Sequence, residues 1–95
     1  MEQDNADAFY ARLKEQLLEN TTWPSNYLYK FIVPTNQEKI DSITRIFDNT
    51  GAVIDSKKSK KGTYTSVSIN VNLEDPDAVI EKYKAVSQIE GVISL

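Results

Sequence analysis

Histidine and cysteine are both absent from the 95 residues. The side chain most used for proton transfer near neutral pH is therefore missing, and so are a thiolate nucleophile, a disulfide framework and cysteine metal ligands. Lysines, small polar residues and acids remain. Lys57, Lys58, Lys60 and Lys61 form the densest charge cluster in the chain. Tyr64, Ser66, Ser68, Asn70 and Asn72 recur at every second position just after it. Ser66 and Ser68 lack a histidine base, so nucleophilic catalysis has no second component. The acid pairs Asp41 with Asp48 and Asp75 with Asp77 suit a helix face or cap better than an acid–base dyad. No acids follow the spacing of a calcium loop. This inventory reads as a non-enzymatic chain without a cofactor or metal.

Two surfaces could bind. The lysine cluster could dock an acidic partner or a phosphate; its plainer role is a solvated hairpin tip that deters edge-to-edge pairing. The short side chains of Ser66, Ser68 and Asn70, with Lys30 on a neighbouring strand, could hold a carboxylate; their plainer role is a water-facing strand. Charge separates these surfaces from their surroundings. Residues 57–63 hold four lysines and no acid, whereas residues 1–22 hold five acids and two bases, and the net charge is −3. An acidic balance argues against a dedicated nucleic-acid binder, which needs a broad positive surface.

The elements that must carry these residues follow from periodicity. Ala6, Phe9, Leu13 and Leu17 predict an amphipathic helix over 6–19, with Asn20–Pro24 as a linker. The aromatic and branched run 26–33 predicts a strand with Tyr27, Tyr29, Phe31 and Val33 on one face and Leu28, Lys30 and Ile32 on the other. Thr35 with Glu38 reads as a capping box for a helix carrying Ile40, Ile43, Ile46 and Phe47, with Gly51 as the left-handed residue behind it. Residues 52–57 predict an edge strand, and Lys57–Gly62 a turn. Residues 63–73 alternate cleanly, with Thr65, Val67, Ile69, Val71 and Leu73 inward. Asp75–Pro76 opens a helix with Val79, Ile80, Tyr83 and Val86 on its apolar side, Gly91 ends it, and Val92–Leu95 closes as a strand.

After the first helix the order is β-α-β-β-α-β. The predicted fold is α+β: a ferredoxin-like sandwich, with a four-stranded antiparallel sheet, two helices on one face and an extra N-terminal helix. The expected division is residues 1–22 for that helix and its linker and 23–95 for the domain. The sheet's first and third strands are central. Its other face carries Leu28, Lys30, Ile32, Tyr64, Ser66, Ser68 and Asn70.

Pro24-Ser25, Tyr29-Lys30 and the run Lys61-Gly62-Thr63-Tyr64-Thr65-Ser66-Val67-Ser68-Ile69 resemble the YbeD-like family of small bacterial proteins of unknown function. The resemblance covers about Trp23 to Leu95, and the helix before it is longer than in the shorter family members. It implies a ferredoxin-like shape similar to the ACT regulatory domains, which bind small ligands, often amino acids, at paired interfaces; it assigns no catalytic residue. The loop Val33-Pro34-Thr35-Asn36 lacks the glycine that lets a backbone approach such a ligand closely. Lys61-Gly62 faintly echoes an RNA-recognition strand, but the two main aromatic positions of that motif are Thr63 and Thr65. The acylphosphatase loop of the same fold is also missing.

The expectation is a regulatory or protein-interaction module that meets a protein partner or a second copy through the sheet face or the first helix. An ACT-like small-ligand sensor is the alternative, and RNA binding ranks below both. Residues 1–5 carry no basic start or apolar stretch of a secretory signal, and no apolar run is long enough to span a bilayer, so a cytoplasmic location is expected.

Overall fold

In the computed structural model, residues 2–95 are described, and side chains from Asp7 onward. The elements run α1 (Glu2–Asn20), β1 (Ser25–Pro34), α2 (Gln37–Ile46), β2 (Val53–Lys58), β3 (Tyr64–Leu73), α3 (Pro76–Ser87) and β4 (Ile93–Ser94). The strands form one four-stranded sheet in the order β2-β3-β1-β4, antiparallel at every junction. The central pair is β1 and β3, as the split βαβ order requires.

Alternation decides which side of the sheet is dry. Tyr29, Phe31 and Val33 of β1 and Thr65, Val67, Ile69, Val71 and Leu73 of β3 are buried, against Ile43 and Phe47 from the α2 side and Val79 and Val86 of α3. The aromatic residues order this core beyond simple burial. Tyr29 meets the rings of Tyr27, Phe47 and Tyr83 edge-on, with centroids 4.8–5.2 Å apart, the geometry that the ring quadrupole favours. Their polar tips are satisfied: the Tyr29 hydroxyl donates to the Val79 carbonyl at 2.9 Å, and the Tyr27 and Tyr83 hydroxyls share a hydrogen bond at 2.8 Å. Burial and the neighbouring phenols push the Tyr29 hydroxyl well above its ordinary range. Burial and the hydrogen bond shared with Tyr27 do the same for Tyr83.

Two lysines tie the helical layer together. Lys82 on α3 donates to the Ile46 carbonyl at the end of α2 at 2.7 Å, and Lys39 at the start of α2 donates to the Glu90 carbonyl at 2.6 Å. Cations at these carbonyl groups satisfy acceptors the chain would otherwise leave open.

α1 packs on the same side of the sheet, against α3. Leu17 and Trp23 reach the core, and the Trp23 indole donates to the Leu17 carbonyl at 3.1 Å. Outside the core, Lys14 pairs with Asp77 at 2.9 Å, and Lys84 lies 5.3 Å over the Tyr10 ring. Ala6, assigned from the sequence to the same stripe, lies outside the described side chains. Phe9, assigned to that stripe too, is 54% exposed on the outer side. The half-buried side of α1 instead carries Tyr10, Leu13, Lys14 and Leu17.

Two local readings change. The cap of α2 is Asn36, whose side chain accepts from the Lys39 amide at 3.1 Å, and not Thr35. Thr35 is drawn into the sheet instead: its amide donates to the Thr63 carbonyl and its hydroxyl meets that of Thr65, both at 2.9 Å. Lys57 ends the edge strand as expected, and Lys58, expected in the turn, also belongs to β2 because it pairs with Thr65. The turn is therefore shorter, with Lys60 and Lys61 at its tip and Gly62 at φ 72°. Asp75 does cap α3, accepting from the Ala78 amide at 2.8 Å, with Pro76 in the first turn.

Candidate functional site

The face of the sheet away from the helices is uncovered. Cross-strand pairing builds it in rows. One row runs Lys57 on β2, Ser66 on β3, Ile32 on β1 and Ile93 on β4. The next runs Asp55, Ser68 and Lys30, and the next Val53, Asn70 and Leu28. Tyr64, opposite Pro34, stands at the hairpin end. Asn72 and Asn26 close the other end with an amide–amide hydrogen bond of 3.0 Å.

This face is more apolar than the alternation of β3 alone suggests. Leu28, Val53, Tyr64 and Ile93 are exposed by 62, 65, 47 and 55%. They are four of the seven exposed large hydrophobic side chains among the described residues, and Ile32 lies half-buried between them. Clusters of exposed apolar groups with polar surroundings mark interaction surfaces. Val53 and Ile93 could be placed here only from the register. Val53 faces Asn70 and Ile93 faces Ile32, and neither segment alternates long enough alone to declare a face.

The residues singled out from the sequence divide into two groups. Tyr64 and Ser66 join Lys57, Lys58 and Lys60 around one hollow of about 350 Å³, floored by Ile32. Lys61 lines a second, adjoining hollow of about 310 Å³ with Thr63 and Tyr64. Lys30, Ser68 and Asn70 lie further along the sheet and line neither. Lys30 does stand opposite Ser68 as expected. The basic hairpin and the sheet face are thus one continuous surface with Tyr64 at the junction.

Charge is polarised across the molecule. Five of the eleven cations but one of the fourteen acids, Asp55, lie on the strands and the β2–β3 turn. The other acids belong to the helices and their flanking segments. The hairpin end of the sheet is therefore positive although the protein is negative overall. No ion pair is formed by these five lysines among the described residues, where Lys14–Asp77 is the ion pair present.

Among the described residues, no helix is long and apolar enough to cross a membrane. A family model described as a protein of unknown function, DUF493, matches residues 19–95. UPF0250 proteins of Haemophilus influenzae strains PittEE and KW20 are similar, at 33% identity over 87 residues, covering 87% of this chain and 89% of theirs. The solution structure of protein HP0495 from H. pylori is similar in fold, with a TM-score of 0.64 over 80% of this chain and 86% of that one. At 16% identity that likeness speaks for the fold alone.

Proposed function

The chain belongs to the DUF493 family, the YbeD-like group of small proteins of unknown function, and on that footing we propose that it is a non-enzymatic interaction module that binds a partner protein on the uncovered sheet face. The observation that carries this reading is the union of exposed Leu28, Val53, Tyr64 and Ile93 with Lys30 and Lys57 on one face, beside the lysine-rich hairpin end. These side chains are already partly covered, so a partner that buries the remainder gains about half the value of a full transfer, about 1 kcal/mol each. The unpaired lysines select a partner of opposite charge and speed its approach. The aliphatic character of the face favours protein over nucleic acid. Base stacking needs successive aromatic rings, and Tyr64 is the one aromatic ring on this face.

The test is affinity capture of the full chain from host lysate, with nuclease present and absent, alongside Lys30→Glu combined with Tyr64→Ala. Both positions are exposed, so the double variant keeps its melting temperature. The reading expects one protein held by the parent in both conditions and released by the double variant. A partner retained by the double variant refutes the sheet-face assignment. Capture that vanishes with nuclease points to RNA instead.

A further inference from the structure

We infer that the hollow at the β2–β3 hairpin is an anchor site for an acidic linear segment of the partner. One apolar side chain of that segment sits between Ile32 and Tyr64, and its flanking carboxylates meet Lys57, Lys58 and Lys60. This deepens the sheet-face reading and rests on it.

Three observations converge. First, the volume of about 350 Å³ lies at the low end of pockets that hold small ligands, about 300–1,000 Å³. It therefore suits one large side chain with its backbone better than an extended interface. Second, the lining is amphipathic. Ile32 and the Tyr64 ring supply carbon surface, and lysine stems extend that surface while keeping their ammonium groups at the rim. Third, Lys57, Lys58 and Lys60 line the hollow without an acid in its lining and form no ion pair among the described residues, with Asp55 one row away on β2. Like charges held this close repel each other, and arriving carboxylates relieve that repulsion. A phosphate alone would satisfy the rim and leave the apolar floor wet. An apolar ligand alone would leave the cations unpaired. An acidic segment with one apolar anchor satisfies both.

The experiment measures fluorescence anisotropy of three labelled heptapeptides against the full chain. The first has a central phenylalanine with three glutamates on each side. The second replaces the phenylalanine by alanine, and the third replaces the glutamates by glutamines. The first is expected to bind about tenfold or more tightly than either companion, since a buried ring and several ion pairs are each worth at least that factor. Its binding is expected to fall at least about tenfold in Tyr64→Ala and in Lys57→Glu with Lys60→Glu, and steeply with salt. Equal binding of the phenylalanine and alanine peptides overturns the anchor, because charge alone then suffices. No binding of the first peptide at about 1 mM, where even a weak site of −4 kcal/mol half-fills, overturns the site. An oligothymidylate that binds more tightly through the same residues overturns the ligand class. If the peptides fail while Lys30→Glu with Tyr64→Ala still releases the captured partner, the anchor falls and the sheet-face reading stands.

Discussion

Tyr29→Phe separates two contributions of one hydroxyl. The residue is fully buried at the centre of β1, and its hydroxyl donates to the Val79 carbonyl at 2.9 Å. Val79 lies inside α3, whose own ladder continues to use that carbonyl. Removing the hydroxyl therefore leaves no orphaned acceptor, and the cost at pH 7 is about 1 kcal/mol. Alkali reverses the comparison. Burial and the neighbouring phenols raise the Tyr29 hydroxyl above its ordinary value of 10.0. The folded state then holds a proton that the unfolded state releases, so stability falls as pH rises above about 10. One such group costs about 1.4 kcal/mol at one pH unit beyond that point and continues at that slope. Tyr83, raised for the same first reason, doubles the slope of the parent. Tyr29→Phe keeps only the Tyr83 share, so the two stability curves cross just below about pH 11. Urea unfolding followed by far-ultraviolet circular dichroism between pH 7 and 11.5 reads this directly. A gap that stays constant or widens with pH would refute the assignment of a proton held by a buried, hydrogen-bonded Tyr29.

Deleting residues 1–21 removes Leu17, which reaches the core, and its carbonyl contact to Trp23; a lower melting temperature and new dye binding are expected, and an unchanged melting curve would mean that α1 is not docked. Gly91→Ala costs more than Gly62→Ala in urea unfolding. Both glycines have positive φ, but a Cβ at Gly91 meets Pro34 Cγ at 3.1 Å and one at Gly62 meets nothing within 4 Å. The left-handed backbone alone costs about 1–2 kcal/mol, and equal losses would contradict the packing. Asn36→Ala loses about 1 kcal/mol of stability in urea unfolding by removing the α2 cap, and an unchanged stability would contradict that cap.

The fold was readable where one face is dry. Strict alternation from Thr65 to Leu73 left one possible inward side, and a one-residue slip would have buried Ser66, Ser68 and Asn70. The order β-α-β-β-α-β then placed β1 and β3 in the centre. Two features were hidden because they depend on geometry between segments. Thr35 and Asn36 are both acceptable caps locally, and the hydroxyl of Thr65 across the sheet decides between them. Leu28, Ile32 and Tyr64 were legible on the uncovered face, but the share of Val53 and Ile93 in its apolar surface was hidden for the same kind of reason. Val53 begins a short edge strand and Ile93 belongs to a two-residue strand, so only pairing with Asn70 and Ile32 assigns their side. The lysine cluster was visible as composition. Its convergence with Tyr64 and Ser66 on one hollow required the hairpin register.

Photocrosslinking tests the docking face most directly. Benzoylphenylalanine is placed at Leu28 on the sheet face or at Phe9 on the outer side of α1, both more than half exposed, and host cells are irradiated. Docking on the sheet face predicts a discrete adduct with one other protein from position 28 and none from position 9. An adduct from position 9 alone, or from position 28 only with a second copy of the chain, would contradict it.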